Sequence, residues 1–193
     1  MARDYAPLTS LVLAPGTRVA TPGQEGPRSL DAPARDLMTD FAMVPAATIE
    51  SGATVDEANE FMIRRAVRSL LVTEPSGRVL GVITANDVLG EGPVNVARER
   101  NIPHAEVLVR DVMTPAERLE ALRLEDVETA KVGHIVATLA HAGRQHTLVV
   151  QSGPDGDVIC GVFSLTHIAA AVGIVLEAPE IASTFAEVEA ALR

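Results

Sequence analysis

The sequence predicts a mixed α/β (α+β) protein: two tandem β-α-β-β-α repeats stacked into one compact module. Three observations predict it. A strand–helix–strand–turn–strand–helix order runs through residues 47–90 and returns through 119–173. Equivalent positions keep their spacing: Val55 and Val132, which open the two long helical stripes, lie 77 residues apart, as do Val72 and Val149, which close the next strands. Two octapeptides, GVITANDV (81–88) and GVFSLTHI (161–168), echo each other 80 residues apart. The three extra residues of the second copy fall in or beside its turn, where an insertion costs little. One such unit alone leaves a sheet face bare, so the two copies need each other.

Each element has a local cause. ATIE (47–50) reads as a short strand. In TVDEANEFMIRRA (54–66), Thr54 followed by Glu57 is a capping box, and Val55, Ala58, Met62 and Ala66 trace a helical stripe. SLLVT (69–73) and RVLGVIT (78–84) are strands about the turn EPSG (74–77), and ANDVLG (85–90) opens a short helix that Gly90 can stop. In the second copy, LEALRL (119–124) is the strand and AKVGHIVATLAHAG (130–143) the helix, ending at Gly143. HTLVVQ (146–151) and DVICGVFS (157–164) are strands about SGPDG (152–156), and LTHIAAAVG (165–173) is a helix.

The remaining segments complete the plan. Residues 1–36, rich in Pro, Gly, Ala and Thr, read as an extended arm that packs on the body or stays mobile, with Leu11-Val12-Leu13 able to dock as a strand. The first unit spans 37–91 and the second 110–173; residues 92–109 between them include the amphipathic helix material VNVARERN. In 174–193, Ser183 or Thr184 can cap a helix whose Phe185, Val188 and Leu192 share one side, for packing or for a dimer contact.

Composition narrows the function. The net charge is −10, from Lys+Arg 16 against Asp+Glu 26. That disfavours nucleic acid and anionic membranes as partners, since both call for a basic footprint. Aromatic residues are 3% with no Trp, so base-stacking platforms are absent and the core is aliphatic. The single Cys160 lies in an apolar run and reads as a buried, inert thiol. No secretory signal stands at the start, and no apolar run approaches the ~20 residues of a membrane span, so the expectation is a soluble cytoplasmic protein.

The two octapeptides carry the chemistry. Thr84, at the end of a strand, and Asp87, three residues on, form a capping-box variant. The same geometry suits a small nucleotide site. Free amides at a strand-to-helix junction favour a phosphate, a hydroxyl can donate to it, and a carboxylate one turn on can accept from both hydroxyls of a ribose. The two readings are compatible, because a hydroxyl that caps through one lone pair keeps its proton to donate.

On these residues the chain resembles the CBS family, named after cystathionine β-synthase. GVITANDV matches the family pattern Gly-apolar-apolar-Thr-x-x-Asp. MTDF (38–41) and VMTP (112–115) look like the Met-Thr openings of CBS repeats, and SGATVDEA (51–58) resembles Pro-x-Ala-Thr-Val-x-x-Ala with Ser51 in place of proline. The resemblance runs from about residue 37 to 173. It implies a Bateman module: two repeats related by a pseudo-two-fold axis, often binding AMP, ADP, ATP, S-adenosylmethionine or a cyclic dinucleotide in the cleft between them. By the same resemblance Asp87 holds the ribose, Thr84 the phosphate, and the backbone near Thr48–Ile49 and Leu70–Val72 lines the adenine pocket. A disc-shaped homodimer is also implied.

The second copy departs from the pattern. Ser164 keeps the hydroxyl, but His167 replaces the carboxylate, and a neutral imidazole does not accept from two hydroxyls at once. Two unequal clefts are therefore expected. Phosphates also need cations. Arg64, Arg65 and Arg68 cluster near the end of the first long helix and Arg144 occupies the matching region of the second; Arg68 and Arg144 are the two to test, against the alternative of ordinary helix-end charges. His134, His141 and His146 have no Asp, Glu or Cys at ligand spacing, so no metal is expected. Ser164 and His167 lack an orienting acid, so no enzyme and no cofactor are expected. The expectation is a non-catalytic, stand-alone regulatory module that senses an adenine nucleotide and signals to an unnamed protein partner. The alternative is a ligand-free interaction module.

Overall fold

The computed structural model describes residues 29–154 and 156–173. The strand proposed at Leu11-Val12-Leu13 and the helix proposed beyond Ser183 lie outside these residues. In chain order the elements are β1 (Thr39–Asp40), β2 (Thr48–Glu50), α1 (Val55–Arg65), β3 (Ser69–Thr73), β4 (Val79–Thr84), α2 (Ala85–Leu89), α3 (Glu91–Arg100) and α4 (Val109–Val112). The second half follows as β5 (Thr114–Pro115), β6 (Ala121–Arg123), α5 (Leu124–Thr129), α6 (Val132–Ala142), β7 (His146–Gly153), β8 (Gly156–Ser164) and α7 (Leu165–Ala171). The fold is mixed α+β with two four-stranded sheets, ordered β2-β3-β4-β5 and β6-β7-β8-β1. In each, a parallel pair (β2/β3 or β6/β7) is followed by an antiparallel hairpin.

Local chemistry sets the ends of α1. The Thr54 amide donates to Glu57 Oε2 at 2.8 Å and the Glu57 amide donates back to Thr54 Oγ1 at 3.2 Å, which satisfies two amides the helix leaves free. α1 ends at Ala66 in the left-handed region (φ 51°), where its counterpart α6 ends at Gly143 (φ 61°). The N-terminus of α6 is closed by an imidazole: the Lys131 amide donates to His134 Nδ1 at 3.0 Å.

Each sheet buries one face under its helices. Val55, Ala58 and Met62 of α1 cover Leu70, Val72 and Ile83 of the first sheet. Val132, Ile135 and Leu139 of α6 cover Val149 and Phe163 of the second. The two sets correspond at the spacings read from the sequence. Phe163, fully buried, is the largest side chain of its core, so truncating it to alanine costs about 3–5 kcal/mol. The Cys160 thiol is half-buried and lies 3.5 Å from the Val149 carbonyl oxygen; burial pushes its pKa up, which keeps it unreactive.

The sheets do not divide at the linear boundary between the units. Thr39 and Asp40, from the opening of the first unit, pair with Val162 and Gly161 of β8. Thr114 and Pro115, from the opening of the second, pair with Val82 and Gly81 of β4. Each unit therefore lends its first strand to the other's sheet. The lent strand explains the shared glycine of the octapeptides. A Cβ at Gly161 would lie 2.7 Å from the Met38 sulfur and 2.8 Å from the Thr39 carbonyl oxygen; one at Gly81 would collide with the Thr114 carbonyl oxygen. The segments before the lent strands match as well: Pro33 bridges to Lys131 ahead of α6, and Leu108 bridges to Thr54 ahead of α1. Residues 30–34 of the expected arm thus pack on the second unit, held also by Lys131 Nζ on Asp31 at 2.7 Å.

The three-residue insertion lies in the β7/β8 hairpin, which lengthens to a tip at Gly153 and Gly156. Both hairpins carry the same irregularity, with Leu80 and Cys160 left out of the strand pairing. LEALRL is shorter as a strand than its pattern suggests, because LEDVET turns into α5.

Candidate functional site

The faces of the two sheets away from the helices are lined with matched residues. Leu71 pairs with Val82 across the first sheet and Leu148 with Val162 across the second. Thr114 and Thr39, on the lent strands, stand beside Val82 and Val162. All six line one cavity of about 970 Å³ that draws on both sheets. It sits at the upper end of the range for small-molecule pockets and has the character they share, an apolar floor with a few polar groups at the edge.

The edge is built from strand ends. The amide of Ala85 donates to the Arg68 carbonyl and that of Leu165 to the Gln145 carbonyl, both at 2.9 Å. These bonds tie the start of each short helix to the start of the neighbouring strand, and bring Thr84, Arg68, Ser164 and Gln145 to the same rim. Thr84 is held fast: its amide and its hydroxyl donate to Asp87 Oδ2 at 2.8 and 2.7 Å, and the Asp87 amide donates to Thr84 Oγ1 at 3.3 Å. Ser164 caps nothing; its hydroxyl lies 2.7 Å from that of Thr166.

Of the residues the sequence singles out, Thr84, Leu70, Arg68, Ser164, His167 and Arg144 line the cavity. Asp87, Thr48, Ile49 and Val72 do not. Asp87 turns to its own helix cap and lines a separate depression of about 340 Å³, shared with Glu91 and Asp111. The proton that Thr84 was expected to keep for a phosphate goes instead to this carboxylate. Val72 is fully buried and Ile49 packs on the first core, because alternate strand residues face the helices; within Leu70–Val72 it is Leu71 whose side chain takes the cleft position, and Ala47 lines the cavity just ahead of β2. Thr48 is exposed outside it.

Among the cavity residues that escape sequence reading, Arg118 and His146 bear most on charge. Arg118 follows the lent strand β5 in a single 3-10 turn with no periodic signal. His146 is paired with Ser164 across β7/β8, the position Ser69 holds opposite Thr84 in the first sheet. The spacing of 77 could have found it. Burial, and then the neighbouring Arg68 guanidinium, hold the His146 pKa below its ordinary 6.5. Among the described residues, no group of three or more His, Cys, Asp or Glu side chains is placed to hold a metal ion. No helix among them is long and apolar enough to cross a membrane.

Comparison with known proteins bears on the fold. Residues 34–93 match the family model of the CBS domain. The uncharacterized protein MK0525 of Methanopyrus kandleri is 33% identical over 64 residues, which span 33% of this chain and 31% of that protein. Among solved structures, an uncharacterized conserved protein from Pyrococcus horikoshii superposes with a TM-score of 0.55 at 22% identity, covering 79% of this chain and 100% of that one. CBSX2 in complex with AMP gives 0.53 at 20% identity, over 72% and 95% of the two chains; CBSX2 is a CBS-pair protein of Arabidopsis thaliana. The CBS domain pair of MJ0100, in complex with 5′-methylthioadenosine and S-adenosyl-L-methionine, gives 0.51 at 18%, over 72% and 94%. At these identities the likeness to solved structures establishes the fold.

Proposed function

We propose that this chain, which carries a CBS domain over residues 34–93 and has the fold of CBS-domain pairs, is a regulatory module that binds an adenine nucleotide between its two sheets. The observation that carries the reading is the matched apolar floor, Leu71 and Val82 facing Leu148 and Val162, open to a rim of hydroxyls and guanidiniums. A flat purine fits the floor, and ribose and phosphate fit the rim. AMP, and methylthioadenosine with S-adenosylmethionine, accompany two of the similar folds, which supports the ligand class.

The lent strands supply a route for the signal. A ligand gripped by both sheets changes the free energy of moving one against the other, and β1 and β5 carry that movement across the units. The readout is a protein partner or a second copy of the chain. Ile63 on α1 and Leu89 on α2, each 71% exposed on neighbouring helices, support a homodimer contact there. We place the module in the cytoplasm and assign it no catalysis.

A co-crystal structure with AMP tests the reading. The nucleotide is expected between Leu71 and Leu148. A nucleotide bound elsewhere, or none at saturating concentration, overturns it. The second reading, a ligand-free interaction module, draws on the closed Thr84–Asp87 pair and on His167 in place of a second carboxylate.

A further inference from the structure

We propose, resting on the nucleotide reading above, that the cleft selects polyanionic ligands: nucleoside di- and triphosphates over monophosphates, with sulfonium nucleosides rejected. Charge is the reason. The chain as a whole is acidic, at −10. Its cleft is the reverse: among the described residues, five arginines line it and a single carboxylate, Glu120.

The arginines are not equivalent. Arg144 is engaged by Glu120 at 3.0 Å and Arg64 by Glu60 at 3.5 Å. Arg65, Arg68 and Arg118 have no ion-pair partner among the described residues. They reach one cavity from three stretches: the last turn of α1, the residue before β3, and the turn after β5. In a chain with 26 acidic residues, three unpaired guanidiniums around one cavity form a field that an anion relieves.

The floor divides the ligand. Leu71, Val82, Leu148 and Val162 offer no donors, so the base takes the floor and the phosphates take the rim. Guanidinium forks grip phosphate oxygens in pairs, which a point charge cannot do. A phosphomonoester brings roughly two negative charges, which leaves part of a three-arginine field unmet; a di- or triphosphate meets it. S-adenosylmethionine brings a sulfonium cation into that field and is repelled. Half-buried His146 stands by Arg68, so an anion there favours its protonated form and adds a donor.

The test is competition against a fluorescent adenine nucleotide on the full chain, with AMP, ADP, ATP, adenosine, S-adenosylmethionine and inorganic tripolyphosphate. ATP is expected to bind at least about tenfold tighter than AMP at low salt, with the gap narrowing as salt rises. Tripolyphosphate is expected to compete and S-adenosylmethionine to fail. R68Q combined with R118Q is expected to remove the ATP advantage, whereas Glu120→Gln, which frees Arg144, is expected to enlarge it. If AMP or S-adenosylmethionine binds as tightly as ATP, or the double variant keeps the gap, the charge selection is overturned while the nucleotide reading stands. If no adenine compound binds, both fall.

Discussion

Thr84 gives both its amide and its hydroxyl proton to one oxygen of Asp87, Oδ2, at 2.8 and 2.7 Å. The motif that resembles a nucleotide site is thus closed on itself as a helix cap, with Thr84 at the cleft and Asp87 behind it.

Replacing Asp87 tests both roles. Asp87→Ala removes the reciprocal cap and is expected to cost about 1 kcal/mol in urea unfolding. It also releases Thr84 from the bonds that fix it at the cleft rim, and nucleotide affinity is expected to fall several-fold by calorimetry as the rim loosens, with His167→Ala doing less. Unchanged affinity in Asp87→Ala removes the pair from the site.

The lent strands predict a contrast between glycines. Gly161→Ala puts a methyl group against Met38 and the Thr39 carbonyl, and is expected to destabilise by about 1–3 kcal/mol. Gly52→Ala meets nothing within 4 Å and is expected to be close to neutral. Equal urea midpoints for the two variants would contradict the exchange of strands.

Ala66 is one of two non-glycine residues with positive φ among the described residues. Its counterpart Gly143 takes the same conformation without a Cβ. Ala66→Gly is expected to raise stability by up to about 1 kcal/mol, the relief of left-handed strain less the entropy of glycine in the unfolded chain. A lower unfolding midpoint would show that the turn carries no strain.

His146 gives the pH dependence a sign. Its folded pKa is lowered by burial and then by Arg68, while the unfolded imidazole titrates near 6.5. Between those two values the unfolded chain binds a proton that the folded chain does not. The stabilisation is therefore full above about pH 6.5 and is lost as pH falls through the folded value. Urea midpoints measured between about pH 5 and 8 should fall on the acid side, and less steeply in His146→Gln. Parallel curves for the two proteins would remove His146 from the account.

The repeat was legible because its cores are. Val55 and Val132, Val72 and Val149, Gly81 and Gly161 stand at fixed spacings, and the members of each pair have the same structural job in their own units. The exchange of strands was not legible. Met38-Thr39 and Met113-Thr114 mark openings, but nothing in their side chains says which sheet they join; that is settled by backbone pairing with β8 and β4. The site was legible in part for a similar reason. Thr84, Arg68 and Ser164 follow from strand ends, whereas Arg118 arrives through a two-residue strand without pattern. The role of Asp87 was not legible, because its type and spacing fit a helix cap and a ribose equally well; the structure shows the cap.

We read the space between the two sheets as a nucleotide site. Calorimetric titration of the ligand-free chain with AMP, ADP and ATP tests it most directly. Saturable heat at a fixed stoichiometry, accompanied by a rise in Tm, is expected. No heat and no thermal stabilisation with any of the three would contradict it.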